Sequence, residues 1–303
     1  PPQEVVRTLL GPVQREVGER WHRGIWTVAH EHQATAVVDA ALHRVVSVVQ
    51  PRPFRASIAV VCAEGDWHTL PARMAAEILR LDGWQVTFLG GSLPGPDLSR
   101  WLRSAQPDAV VVTCSLPTFG VGVLNIATAA AELGIPVVTG GRGMGADGRR
   151  ANALGVGWAE DLGQLHTALA APVGPVDHHD RSARVAAGEN TAVHRSDIVG
   201  AAMVELDRIW PQMRFLSPMQ LARTAEDFGH ILDFVSAATL LDDHRVFTDF
   251  VEWLTVLLGA RGVPPEAVTR GLCALAAATP PEWATVHTVL IAGMDRQQQM
   301  EYS

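Results

Sequence analysis

Three stretches of this chain carry side chains whose types and spacing can do chemistry. In Glu64-Gly-Asp66-Trp67-His68-Thr-Leu-Pro71, a carboxylate stands two residues before an imidazole. A metal-binding histidine needs its other ring nitrogen held by a carboxylate or carbonyl, which fixes the tautomer and raises basicity, so Asp66 and His68 form a candidate pair. A loop histidine beside a solvated aspartate is the plainer reading of the same residues. Glycine-rich segments follow, Gly90-Gly91-Ser-Leu-Pro94 and Thr139-Gly140-Gly141-Arg-Gly-Met-Gly145, where backbone without Cβ atoms lets a large flat ligand come close. A phosphate cradle is a poor alternative, because the first strand-to-helix turn has neither G-x-G-x-x-G nor G-x-x-x-x-G-K-[ST]. Earlier in the chain Trp21 is followed, after nine intervening residues, by Glu31-His32.

Positioning these groups requires an α/β framework. Apolar residues at helical spacing predict helices over 3–19 and 26–49, and Pro51-Arg-Pro53 breaks the pattern. Short apolar runs at Ser57–Ala63, Trp84–Leu89, Ala109–Cys114 and Pro136–Thr139 read as buried strands, with helices near 71–82, 96–105 and 121–133 between them. Buried strands alternating with helices mean βαβ units and a parallel, Rossmann-like sheet covered on both faces. Ligands of such sheets sit beyond the carboxyl ends of the strands, which is where the three loops fall.

The expected domain division is a helical cap over 1–50, the sheet domain over 54–171, a Pro-, Gly- and charge-rich linker over 172–195, and an all-α domain over 196–303. In the last, helical segments are expected at 197–214, 219–241, 244–261, 265–278 and 281–298. Composition narrows the function classes. With 24 basic against 32 acidic residues and no basic block, a nucleic-acid surface is not expected. No apolar run approaches the ~18 residues of a membrane span, so a cytoplasmic protein is expected. Cys62, Cys114 and Cys273 are widely spaced and include no C-x-x-C, which supports neither a disulfide framework nor a zinc site.

The first half resembles cobalamin-binding domains. Asp66-x-His68, Thr113-Cys-Ser115 and Gly140-Gly141 are similar to that family's Asp-x-His-x-x-Gly, Ser-x-Leu and Gly-Gly motifs. The resemblance implies that His68 is the lower cobalt ligand and that the displaced nucleotide tail threads in beside Thr113, Ser115 and the glycines, with Trp67 and Gly90 also near the cofactor. The chain departs at Pro71, where the family has Gly, and in having Thr113 and Ser115 for Ser and Leu. The Trp21-x9-Glu31-His32 spacing resembles the bundle that caps adenosylcobalamin in B12-dependent light-sensing repressors. That likeness implies Trp21 against the adenosyl group, Glu31 at its polar edge, and His32 as an upper ligand after photolysis. Their bundle has four helices, of which two fit here. The chain opens on Pro1 without a preceding helix-turn-helix, so a trimmed bundle is expected and the repressor function is not.

The second half adds Arg223, Asp227 and His230 at i, i+4 and i+7, near Phe234 and Trp253. A carboxylate for pyrrole N–H groups, an Arg for a propionate, a His and confining aromatics suit a linear tetrapyrrole, though the same helix face also reads as a solvated surface. The whole arrangement resembles photocobilins, which implies a globin-like second domain and biliverdin as second chromophore. Cys273 is read as a packing residue rather than an attachment site. A photoreceptor without enzymatic activity of its own is therefore expected, with a homo-oligomeric state that changes with light and an output partner. The alternative is a non-photochemical methyl-carrier corrinoid protein; a mutase would need a barrel of about 250 residues.

Overall fold

The computed structural model of the chain describes residues 1–49, 56–171 and 178–301. It divides into two units, Pro1–Val176 and Asp177–Ser303, and each is described by itself.

In the first unit, β1 (Ser57–Cys62), β2 (Gln85–Gly90), β3 (Ala109–Thr113), β4 (Val137–Gly140) and β5 (Gly157–Ala159) form one sheet in the order β2-β1-β3-β4-β5, every pairing parallel. Between them run helices at Thr69–Leu81, Gly95–Ala105, Gly120–Ala131 and Arg149–Leu154, and Leu165–Ala170 follows β5. Ahead of the sheet, a turn of helix at Pro2–Val5 leads through a π-turn at Val6–Leu10 into Gly11–His22, and a second helix spans Val28–Val46. In chain order the helices are α1 (Pro2–Val5), α2 (Gly11–His22), α3 (Val28–Val46), α4 (Thr69–Leu81), α5 (Gly95–Ala105), α6 (Gly120–Ala131), α7 (Arg149–Leu154) and α8 (Leu165–Ala170).

The apolar runs of β1 and β3 become strands because both are covered on both faces, and every residue from Ile58 to Cys62 and from Ala109 to Thr113 is buried. Helix α4 decides how the cap and sheet are joined. Its Ala72, Ala75, Ala76 and Leu79 pack with Ile58, Val60 and Val111 of the sheet. Its other side, Leu70, Met74, Ile78 and Leu81, packs with Val6, Leu10, Val38, Leu42 and Val46 of the cap helices. One amphipathic helix with two apolar stripes thus holds the cap onto the sheet. Helix α3 starts at a capping box in which Thr27 accepts from the His30 N–H and the His30 ring accepts from the Thr27 N–H.

Three expectations need correction. β2 is not a buried strand: as the edge strand it has one neighbour, and Gln85, Thr87 and Phe88 are exposed. β5 and the short α7 and α8 went unread, because a three-residue Gly-Trp-Ala strand and six-residue helices carry too little periodicity to register. The 172–195 linker is instead helical from His178; residues 172–177 lie outside the described residues.

The second unit is all helical: α9 (His178–Val193), α10 (Arg195–Ile209), α11 (Pro218–Leu240), α12 (Arg245–Gly259), α13 (Pro265–Ala278) and α14 (Ala284–Glu301), with a short 3₁₀ turn at Pro211–Phe215. Helix α9 packs on α11, which explains why its weakly periodic sequence is helical: tertiary burial of Gly188 and Thr191 supplies what propensity does not. Helix α11 begins at a Ser217/Gln220 capping box with Pro218 in its first turn. Among the described residues no helix is long and apolar enough to cross a membrane.

Phe247 is fully buried, and Gly293 of α14 leaves it room, since a Cβ at position 293 would strike the ring. Phe247→Ala should cost about 3–5 kcal/mol of the second unit's stability. Chemical denaturation followed by helical circular dichroism checks this; an unchanged midpoint would show that the core is packed differently.

Candidate cobalamin site

The loop after β1 and the loop after β3 meet where β1 is flanked by β2 on one side and β3 on the other, the topological switch point of the sheet. Asp66 is fully buried there. Its carboxylate accepts the His68 N–H at 3.0 Å and His68 Nδ1 at 2.8 Å on Oδ1, and the Ser115 N–H at 2.7 Å on Oδ2; the Ser115 hydroxyl adds a bond of 2.9 Å to Oδ1. Burial pushes the Asp66 carboxyl up, but the hydrogen bonds from His68 and Ser115 outweigh it and hold the group below the usual carboxylate range. Because an ionised carboxylate only accepts, the proton of the imidazole lies on Nδ1. Nε2 then carries the lone pair, on a side chain that is 61% exposed. The hydrogen bond to Asp66 raises the His68 pKa, burial opposes it, and the charges of Asp66 and Glu31 raise it further. Glu31 belongs to the cap, so the cap and the sheet loop face one site.

Pro71 falls in the first turn of α4, where a backbone N–H has no intrahelical acceptor to lose, so the departure from Gly at this position leaves the loop intact. The Ser115 hydroxyl is taken up by Asp66 and by His68 Nδ1 at 2.9 Å, so it orients the imidazole. Thr113 is the better candidate for the tail, with a buried Oγ1 that has no oxygen or nitrogen partner. Beside it, burial pushes the Cys62 thiol up to about 11, with the Thr113 hydroxyl lowering it in part, and burial raises Cys114 as well. Burial thus favours the protonated thiol at both positions.

The glycines bring backbone against backbone. A Cβ on Gly140 would lie 2.8 Å from the Ala159 carbonyl oxygen, and one on Gly141, whose φ is +103°, 2.5 Å from that of Cys114. They let the loops after β3, β4 and β5 close on one another. Gly90 has open space around it, and Gly91 packs against the exposed Trp67 ring.

Above the sheet edge a cleft of about 680 Å³ runs between α3 and α4, lined by His32, Thr35, Ala36, Asp39, Thr69, Leu70, Arg73 and Phe88. His32 is 75% exposed with Nε2 3.5 Å from Glu31 Oε2, and Glu31 Oε1 accepts the Thr35 hydroxyl at 2.9 Å. Trp21 is half-buried at the end of α2 and does not line this cleft; Arg20 lies over Trp26 at 5.2 Å. Sequence reasoning missed Arg73 and Asp39, which pair at 2.6 Å between α4 and α3, and Phe88, which only an exposed edge strand could present.

Among the described residues no group of three or more His, Cys, Asp or Glu side chains could hold a metal ion. A single imidazole with a carboxylate behind it fits a metal that brings its remaining ligands with it, as cobalt in a corrin does, and the open cleft fits a macrocycle.

In the second unit, burial raises the Asp227 carboxyl above its ordinary value, with His230, Arg261 and Arg223 opposing. Phe234 stacks on Phe250 at 3.8 Å and Phe250 on Trp253 at 5.8 Å. His230 points to Asp233 at 3.8 Å, and Asp233 also pairs with Arg195 at 3.1 Å. Cys273 is exposed, 4.0 Å from the Met294 sulfur, which corrects its reading as a packing residue.

Comparison with known proteins agrees with the geometry of the first unit. Residues 56–164 match a family model described as a B12 binding domain, and residues 1–45 match a second model of the same description. The chain is 34% identical over 148 residues to the HTH-type transcriptional repressor CarH of Myxococcus xanthus, covering 46% of this chain and 48% of the relative. It is 31% identical over 160 residues to the HTH-type transcriptional repressor CarA of the same organism, covering 52% and 54%. It therefore spans about half the length of the curated relatives it matches. Among solved structures, the monomethylamine corrinoid protein of Methanosarcina barkeri aligns with a TM-score of 0.47 at 17% identity, over 56% of this chain and 84% of that one.

Replacing Asp66 with Asn should destabilise the first unit by about 1–3 kcal/mol at neutral pH, because the bonds to a buried charged acceptor weaken while the donors stay buried. The sign of the pH dependence follows from a lowered folded-state pKa: the advantage of the wild type is complete above the unfolded carboxylate range and disappears as pH falls through the folded value. Urea titrations of both proteins across acid pH read this directly, and equal stability at pH 7 would contradict it.

Proposed function

We propose that this chain, which carries a cobalamin-binding domain, is a light sensor that uses adenosylcobalamin in its first unit and biliverdin in its second, and that it has no enzymatic activity of its own. The observation that carries the reading is the His68 imidazole, locked through Nδ1 by Asp66, on a loop whose next residue, Thr69, lines a cleft together with His32 of α3. Similarity to CarH and CarA over about half of the chain supports it.

When bound, adenosylcobalamin supplies a cobalt–carbon bond that visible light breaks. His68 would hold the cofactor through its cobalt, with Asp66 and Ser115 keeping the imidazole fixed. Trp21, at the end of α2 outside the cleft, would cover the adenosyl group with an aromatic face, and Glu31 would bind its polar edge. His32 would supply a second imidazole after photolysis. A ligand shifts a conformational equilibrium only through contacts that differ between the two states, and these cap residues are where contacts are lost on illumination. Because α4 joins the cap to the sheet, a shift of α3 is transmitted to it and, in this reading, to the oligomeric state and an output partner.

Biliverdin is assigned to a globin-like second unit. The support is the half-buried Asp227 with a raised pKa, near Arg223 and His230, and the aromatic stack of Phe234, Phe250 and Trp253.

The deciding experiment is an absorption spectrum of protein reconstituted with adenosylcobalamin and biliverdin, in the dark and after green light. The expected result is a dark-stable alkylcobalamin spectrum that bleaches, with a protein-shifted far-red bilin band. Bleaching without that band removes biliverdin; photochemistry identical to free cofactor leaves a methyl-carrier corrinoid protein. Two variants assign the faces. His68→Ala should abolish the histidine-ligated spectrum, and Trp21→Ala should weaken adenosylcobalamin while sparing hydroxocobalamin, so equal losses for both corrinoids would refute the Trp21 role.

A further inference from the structure

Arg150, at the start of α7, is buried, although a guanidinium is among the costliest groups to take out of water. An apolar side chain would fill the same space without that cost but would leave one carbonyl without its donor. Arg150 Nη1 donates to the Gly143 carbonyl at 3.0 Å. Gly145, with φ at +74°, passes over the guanidinium so closely that a Cβ there would sit 3.4 Å from its central carbon. Gly143 in turn donates its N–H to the Cys114 carbonyl at 3.0 Å, and Cys114 donates to Gly140 at 2.9 Å. The contact has no slack: a Cβ on Gly143 would lie 2.6 Å from the Leu116 carbonyl carbon and 2.8 Å from Cys114 Sγ. The residue between Cys114 and Leu116 is Ser115, whose N–H and hydroxyl hold both oxygens of Asp66.

We propose that Arg150 is a positioning residue for the axial imidazole, acting through the Gly143 and Cys114 loop backbones on Ser115 and thence on Asp66 and His68. This rests on the reading of His68 as cobalt ligand. Each hydrogen bond of the path is 3.0 Å or less, and the peptide bond between Cys114 and Ser115 joins its two halves. With the guanidinium gone, the loop after β4 loses its anchor, the Ser115 backbone relaxes away from Asp66 Oδ2, and the imidazole loses the partner that aims it.

Cob(II)inamide is the probe, because it lacks a nucleotide base of its own, so that a nitrogen on its cobalt beyond the four of the corrin ring comes from the protein. In the intact chain, electron paramagnetic resonance should show nitrogen superhyperfine splitting for the wild type and none for His68→Ala. Arg150→Met should lower the histidine-ligated fraction about tenfold, the low end of what losing an outer-shell partner costs a metal ligand. Arg150→Lys, which keeps a donor toward Gly143, should restore most of it. In an Asp66→Ala background, which removes the acceptor of the Ser115 N–H, Arg150→Met should add no further loss, and ligand-free thermal unfolding of each variant separates ligation from folding. Full splitting in Arg150→Met, or an undiminished Arg150 effect in the Asp66→Ala background, would overturn the proposal. Should Arg150→Met fail to fold, Arg150→Leu, which also lacks a donor, decides in the same way. A wild type without splitting would remove His68 as ligand, and the Arg150 role with it.

Discussion

A carboxylate with no exposed surface sits at the carboxyl edge of the sheet, and the arrangement of the site depends on keeping it ionised. Burial alone would neutralise Asp66; the backbone and side-chain donors of His68 and Ser115 outweigh that tendency. Two loops from separate strands must therefore be brought to the same few ångströms. The sheet order does this by placing β1 beside β3, and the glycines of the loop after β4 do it by letting backbone press against backbone. The imidazole is oriented as a consequence of a charge that has to be satisfied.

The second organising feature is the division of labour on α4. Its small residues face the sheet, where neighbouring strands leave little depth, and its long ones face the cap, where they interdigitate with two helices. The cleft lies between this helix and α3, so its walls come from elements that share a core. The Asp39–Arg73 ion pair crosses from one wall to the other, half exposed and of modest energetic worth, but it sets the two helices at a definite separation.

What could be read in advance divides along physical lines. β1 and β3 were legible because strands buried on both faces are apolar without interruption, and the Asp66–His68 pair was legible because second-sphere chemistry constrains residue type at short range. The role of Ser115 was not, since its partner is 49 residues away and nothing local shows that this hydroxyl is bound to a carboxylate. The exposure of Phe88 could not be told from composition, because an edge strand and a central one have similar sequences. Helix α9 was hidden for the opposite reason: its periodicity is weak and its partner, α11, lies elsewhere in the chain. Arg150 was invisible because burial of a charged side chain runs against every composition rule.

The π-turn at Val6–Leu10 bears on how this architecture tolerates change. Each residue of an α-helix advances the azimuth by about 100°. A π-turn closes around one additional residue, so the segment from Gly11 to His22 keeps the facing that a chain one residue shorter would give an unbroken helix. Val6, Leu10 and Val17 all remain on the buried side across the irregularity. In terms of descent, this is a point where the chain ahead of Trp21 can gain or lose a residue without rotating the aromatic ring away from the direction in which the cap presents it.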